Sequence, residues 1–125
     1  MGMYTEILIK EKVKEEIPNE VYDVLNYIFN NNGEMPMPEE LPEHEFFNTP
    51  RWQQIGCSNS YCHIPWADSK FSDNYIFSHI GLKNYNKEIQ LFFDWVNPYL
   101  EAYEGECIGY YWYEEDRTPT LVYKK

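Results

Sequence analysis

The stretch IGYYWYEED, Ile108–Asp116, places four consecutive aromatic residues directly before three acids. Its aromatic part predicts a strand, because aromatic side chains favour strands. Alternate residues of a strand lie on opposite faces of the sheet, so one set is expected to meet helices and the other to lie on an open face. The two sets are Ile108, Tyr110 and Trp112, and Gly109, Tyr111 and Tyr113.

The residues on either side of this stretch predict a hairpin and a preceding helix. Segments 106–113 and 119–124 form the arms of the hairpin, with EEDRTP as the turn. Before them, an apolar stripe at helical spacing predicts a helix, with Asn84 or Asn86 as its cap and Gly105 at its end. Pro98 predicts a kink or a restart of the helix, because it removes a backbone donor. The stripe comprises Ile89, Phe92, Phe93, Val96 and Leu100.

The first half of the chain predicts a strand, a helix and two further strands. Residues 4–13 alternate between apolar and lysine positions, which is typical of a strand. Pro18-Asn19 starts a helix that the Asn30–Gly33 segment ends. Short strands are expected around Ser60–Ile64 and Tyr75–Ile80, joined by a turn-rich link. The helix stripe comprises Val21, Val24, Leu25 and Ile28.

The resulting order is β-α-β-β-α-β-β, which predicts an α+β fold. Such runs of elements form a single antiparallel sheet with both helices on one face, here a ferredoxin-like variant. The length of 125 residues fits one domain over residues 1–125. Residues 33–50 hold four prolines and five glutamates without Lys or Arg, so they are expected to form an acidic, Pro-rich surface loop.

Composition and charge disfavour several classes of function. The net charge of −11 disfavours direct binding to nucleic acid or to an anionic membrane. No apolar run is long enough for a transmembrane helix, and no signal peptide is apparent. The three cysteines fit free thiols in a reducing compartment, so a cytoplasmic protein is expected.

No catalytic or metal-binding motif stands out. The spacing C-x4-C-H at Cys57, Cys62 and His63 differs from common zinc patterns, so no metal or other cofactor is expected. Cys62 and His63 lie on opposite faces of any strand, which prevents them from pairing as nucleophile and base and leaves Cys62 with His79, across two strands, as the alternative pair. The many carboxylates favour solvated charge over acid–base chemistry. The sequence therefore predicts a protein that is not an enzyme.

The acidic residues concentrate in two places, the 33–50 loop and the C-terminal part. Carboxylates spaced on a rigid surface imitate a phosphate backbone and fit a basic groove. Interleaved aromatic residues suit such a surface, because Tyr and Trp are enriched at binding hot spots. The alternative is that the charge serves solubility alone. The candidate partner-binding residues are Glu39, Glu40, Glu43, Glu45, Tyr111, Tyr113, Glu114, Glu115 and Asp116.

Segment 51–66 offers a different candidate site. It mixes flat aromatic side chains with hydrogen-bond donors, which suits a nucleotide-like ligand stacked on a ring and held by an arginine. The opposing and preferred interpretation is that Trp52 and Trp66 close the core under the long loop. The candidate ligand-binding residues are Arg51, Trp52, Tyr61, His63 and Trp66.

Four stretches together resemble a group of small proteins of tailed phages and prophages of Gram-positive bacteria. They are MYTEILIK, SYCHIPW, KNYNKEIQLFFDWVNPYLEAYEG and YEE…PTLVY, and the pattern at Ile89–Leu100 is the most specific. The resemblance implies an intracellular protein made during infection and carries no site residues. It favours an inhibitor that binds a basic host defence protein, such as a CRISPR or restriction nuclease. Nucleotide-signal sequestration and an accessory role in phage replication or assembly are the alternatives.

Overall fold

A computed structural model describes residues 4–30, 37–56 and 67–125. It is an α+β structure with one antiparallel five-stranded sheet and two helices, which confirms the predicted fold class at this level. The strands are β1 (Thr5–Lys12), β2 (Asp68–Ser72), β3 (Tyr75–Leu82), β4 (Cys107–Tyr113) and β5 (Thr120–Tyr123). The α-helices are α1 (Asn19–Phe29) and α2 (Glu88–Val96), and short 3₁₀ helices span Glu45–Asn48, Trp52–Gly56 and Asn97–Tyr99.

Strand β1 lies at the centre of the sheet, whose order is β2-β3-β1-β4-β5. Its alternation defines two faces. On the core face, Ile7 and Ile9 are fully buried, and Ile7 pairs with Ile80 on β3 and Tyr111 on β4. The other face, here called the outer face, carries the alternate residues of β1, beginning with Glu6. The period-2 pattern therefore sets the register of the central strand.

Strand β2 lies within the segment predicted to be a turn-rich link. It forms a tight hairpin with β3, in which Asp73 and Asn74 both have positive φ. Two-residue hairpin turns of type I′ need positive φ at both central residues, and Asn and Asp tolerate it better than most residues. The predicted strand at Ser60–Ile64 lies outside the described residues.

The end of α2 differs from the prediction. The α-helix ends at Val96, continues as a 3₁₀ turn through Pro98, and gives way to extended backbone at Leu100. Leu100 is fully buried and forms an isolated β-bridge with Val13. It therefore reaches the core from an extended segment and not as part of the helical stripe. Gly105, expected to end the helix, lies instead in the turn before β4 with a φ of 90°. The proline ends the helix because it has no N–H for the next helical bond.

Ile108 does not share a face with Tyr110 and Trp112, although the alternation predicts that it does. The pairing of β4 with β5 shifts register between Cys107 and Gly109, so a bulge interrupts the alternation there. Ile108 is consequently buried in the core, whereas Tyr110 and Trp112 remain on the outer face. At Gly109, an added Cβ would overlap the Leu8 carbonyl oxygen and would lie 3.1 Å from Cζ of Phe93, so only glycine fits.

The acidic loop is anchored in the core through an aromatic residue. Phe46 is fully buried and stacks on Trp95 of α2, with ring centroids 5.8 Å apart. It also packs edge-on against Phe92 and Trp52. The prediction of a surface loop is thus correct for the four glutamates of residues 37–50, which are exposed, but it missed this buried anchor; Glu34 lies outside the described residues.

Candidate interaction surfaces

The turn after β4 presents the acids of IGYYWYEED on a fixed backbone. The Glu114 carboxylate accepts a hydrogen bond from the Tyr4 amide, and the Glu114 amide donates to the Tyr4 carbonyl at 3.2 Å. The indole Nε1 of Trp112 donates to the Asp116 carbonyl at 2.9 Å. The acidic side chains of the turn are exposed, and within the described residues they form no ion pair.

Tyr111 and Tyr113 lie on the core face of β4, opposite to Tyr110 and Trp112. Tyr111 packs partly against the core, and Tyr113 stays half-buried at the sheet end. Partial desolvation and the carboxylates of Glu115 and Glu114 raise the pKa of Tyr113. The tyrosines predicted to bind a partner therefore lie beside α2 rather than on the outer face.

Two adjoining clefts separate α2 from β4 and β5, and both are lined by Gln90 and Tyr111. The first has a volume of about 370 Å³ and reaches Tyr113 and Asp116 at the turn. The second, of about 410 Å³, follows strand β5 toward the C-terminal lysines. The aromatic and acidic residues of the turn thus form one end of a groove.

The glutamates of the loop form a separate acidic surface. Glu39, Glu40, Glu43 and Glu45 are all exposed, while the neighbouring Phe46 anchors their backbone. His44 fixes the loop to α2, because its Nε2 lies 2.9 Å from Oδ2 of Asp94. This hydrogen bond, with a further contribution from Lys125, lowers the pKa of Asp94. No hydrogen bond or ion pair between described residues joins this surface to the 114–116 turn.

The alternative ligand site is only partly described. Trp52 is 5% exposed and packs against Phe46, Phe47 and Tyr27, so its ring belongs to the core. This agrees with the interpretation that Trp52 closes the core. Arg51 lies over the ring of Tyr85, 5.2 Å from its centroid. The remaining members of the set, Tyr61, His63 and Trp66, lie outside the described residues.

The outer face holds a polar cluster that the sequence interpretation missed. Glu6 accepts a hydrogen bond from the Tyr110 hydroxyl, and its Oε2 lies 2.9 Å from Nε2 of His79. Burial and this carboxylate raise the pKa of Tyr110 to about 12. A Tyr with so high a pKa stays protonated at neutral pH and acts as a hydrogen-bond donor rather than a base. The alternation of β1 already placed Glu6 on this face, but only the strand order brings its partners to it.

Lysines surround the aromatic residues at the other end of the outer face. Lys10 and Lys70 pair across the sheet with Phe77 from opposite sides, and Lys12 pairs with Tyr75. Lys12 also contacts Glu101 at 3.4 Å. Charge on this face is therefore divided, with lysines at one end of the strands and the acidic turn at the other.

Among the described residues no group of three potential ligands is placed to hold a metal ion. No helix in the described ranges is long and apolar enough to cross a membrane. Comparison with known proteins finds no matching family model, no similar curated protein and no similar solved structure.

Proposed function

We propose that this chain is a non-enzymatic, phage-encoded inhibitor that binds a basic host defence protein, such as a CRISPR or restriction nuclease, in the host cytoplasm. The proposed contact surface is formed by the candidate partner-binding residues of the acidic loop and of the turn after β4. Its carboxylates and aromatic side chains take the place of nucleic acid in a basic groove. The proposal extends to a ferredoxin-like variant of the α+β fold, with the order β-α-β-β-α-β-β and both helices on one face.

The observation that carries this proposal is that acidic side chains are exposed and outside any described ion pair, while their backbones are held in place. The glutamates of residues 37–50 and the acids of the 114–116 turn carry exposed carboxylates that form no ion pair with any described residue. Their backbones are nevertheless fixed, the loop by Phe46 and the turn by its bonds to Tyr4. Preorganised, uncompensated charge favours association with an oppositely charged surface, since little conformational entropy is lost on binding.

The test compares two charge reversals of equal size. The triple variant Glu114→Lys, Glu115→Lys, Asp116→Lys alters the turn, and the control Glu15→Lys, Glu16→Lys, Glu20→Lys alters exposed acids elsewhere. Each variant and the wild type are used to capture partners from host lysate at low and high salt, and the affinity for the recovered protein is then measured. We expect the turn variant to lose at least about tenfold in affinity and the control to lose little. Equal losses in both variants would make net charge, not the turn, responsible.

A nucleotide-sequestering function is the second proposal, and the structure gives it less support. Trp52 is buried and Arg51 already covers Tyr85. Thermal-shift measurements with cyclic and ADP-ribose-type nucleotides separate the two functions, because a ligand that binds the native state raises the melting temperature. An accessory role in phage replication or assembly, with charge serving solubility, is the third; it predicts that neither assay gives a response.

A further inference from the structure

Both edges of the sheet carry an asparagine that follows an α-helix. Asn30, after α1, bonds the outward backbone of β2, with its Oδ1 accepting from the Phe71 amide at 2.9 Å and its Nδ2 donating to the Phe71 carbonyl at 2.6 Å. The other outward amide of β2, at Ser69, donates to the Asp68 carboxylate at 2.8 Å. The outward donors of β2 are thus satisfied by side chains, which prevents further strand pairing there.

The β5 edge has a similar device that covers only its end. Asn97, which is buried, donates through Nδ2 to the Tyr123 carbonyl at 3.1 Å and accepts through Oδ1 from the Lys125 amide at 3.1 Å. Lys124 faces inward, because its amide donates to the Glu106 carbonyl and its carbonyl accepts from the Gly105 amide. Alternation along the strand then directs the backbone groups of Leu121 outward, along with the amide of Tyr123.

These outward groups have no partner among the described residues. The side chains of the same two residues are also exposed, Leu121 to 48% and Tyr123 to 50%. Beside them runs the cleft of about 410 Å³ between β5 and α2, with Phe93 and Val122 in its walls. An exposed edge of this kind with an apolar cleft along it is a site for an added strand.

We propose that the β5 edge pairs with the β5 edge of a second copy of this chain, so that the two sheets join as one antiparallel sheet around a two-fold axis at Leu121. This association is additional to the proposed function, and neither depends on the other. In such a pair Leu121 lies opposite Leu121 of the second copy, and Tyr123 lies opposite Pro119 of the second copy.

The hydrogen-bond groups of the edge suit this register. Opposite Leu121 residues exchange both of their amide–carbonyl bonds, as a hydrogen-bonded antiparallel pair does. At the next bonded pair, the Tyr123 amide donates to the Pro119 carbonyl. The reverse bond is not needed on either side, since Pro119 has no N–H and the Tyr123 carbonyl already accepts from Asn97. Within residues 119–123, the donors and acceptors left over on one copy therefore match those of the other.

Side chains on the core face fit the same arrangement. Val122 and Thr120 lie on the core face of β5, since they pair with Gly109 and Tyr111. In the joined sheet Val122 and Thr120 lie between the two α2 helices and cover the cleft beside each β5 edge. Asn97 already occupies the position beside Lys125 that a paired strand would take, so the ladder ends at the two Tyr123–Pro119 pairs. The contact is short, so we expect a weak dimer, with a dissociation constant on the order of tens of micromolar.

The test uses charges placed on the two-fold axis. Leu121→Lys and Leu121→Glu each bring like charges together at the axis, so each variant alone is expected to be monomeric. An equimolar mixture of the two is expected to form a heterodimer, because the charges become opposite. Sedimentation of the wild type from about 5 to about 500 µM gives the reference association curve. Tyr75→Lys alters an equally exposed aromatic residue on the outer face and is expected to dimerise like the wild type.

Two further measurements test the edge itself. Leu121→Pro removes the outward amide alone, and proline is tolerated on an edge strand whose N–H faces solvent, so a folded monomer is expected. In the wild type, the amides of Leu121 and Tyr123 are expected to exchange with deuterium more slowly as protein concentration rises. A wild type that remains monomeric at the highest concentration overturns the proposal, as does a dimer that survives Leu121→Pro or is lost in Tyr75→Lys.

Discussion

Phe46 is expected to hold the acidic loop on the protein, and Phe46→Ala tests this directly. The side chain is fully buried, and four aromatic rings surround it. The ring centroids lie 4.9 Å away for Phe47, 5.6 Å for Phe92, 5.8 Å for Trp95 and 6.2 Å for Trp52. Truncation removes these contacts and leaves a cavity between α2 and the 3₁₀ helices.

The expected loss is large for a domain of this size. Phe→Ala substitutions at fully buried sites cost about 3–5 kcal/mol, and a native domain has roughly 5–15 kcal/mol in total. Each kcal/mol lowers the melting temperature of such a chain by about 4 °C, so we expect a fall of about 12–20 °C. The matched control is Glu45→Ala, which alters the exposed neighbour in the same 3₁₀ helix and is expected to change stability by less than about 0.5 kcal/mol.

Urea unfolding followed by circular dichroism gives the free energy of unfolding and the m-value of each variant. A loss below about 1 kcal/mol for Phe46→Ala, with an unchanged m-value, contradicts the burial of this ring. Hydrogen exchange of the amides in residues 37–48 separates local from global effects, since a docked loop should lose protection more than β1 does.

Two further substitutions test the sheet. Gly109→Ala is expected to lower the free energy of unfolding by roughly 2–3 kcal/mol, because the new Cβ overlaps the Leu8 carbonyl oxygen. The control in urea unfolding is Cys107→Ala, which alters an exposed residue of the same strand. Equal losses in the two variants contradict the close approach of Gly109 to Leu8. Tyr110→Phe removes the hydrogen bond to Glu6. The pKa of Tyr110 is raised to about 12 in the folded protein, so its contribution is complete below the unfolded pKa near 10 and is lost as pH rises through 12. After a discount for partial exposure, the free energy of unfolding of the wild type should exceed that of Tyr110→Phe by about 1 kcal/mol at pH 8. This difference should shrink toward pH 12. A difference that does not change with pH contradicts the role of the hydroxyl.

Much of the fold follows from local patterns in the sequence. The alternation of β1 and the stripe of α1 were sufficient, because each pattern persists over a whole element and burial enforces it. The exceptions have specific causes. A bulge moved Ile108 to the core, and a proline ended α2 before its apolar stripe did. A bulge leaves no residue-type signal on a strand of consecutive aromatics, so the alternation there was extended too far.

The candidate site was predicted less completely than the fold. Exposure of the described loop and turn glutamates follows from their charge, since carboxylates are rarely buried without partners. The orientation of Tyr111 and Tyr113 depends on which face of β4 meets α2, and periodicity alone gives two faces without saying which is covered. The Glu6 cluster needs the strand order, because His79 and Tyr110 come from strands on either side of β1.

The asparagines at the two sheet edges show what a sequence pattern leaves out. Asn30 was interpreted as a helix stop signal, and Asn97 drew no prediction, yet each amide also bonds the backbone of an edge strand. A side-chain amide carries two N–H donors and a carbonyl acceptor, and one donor with the acceptor can bond an edge strand as a peptide group of a neighbouring strand would. On β2, Asn30 and Asp68 together occupy the outward donors; on β5, Asn97 occupies only the last outward groups. This difference between the two edges is invisible in composition. It makes β5, rather than β2, the edge at which a further strand can pair.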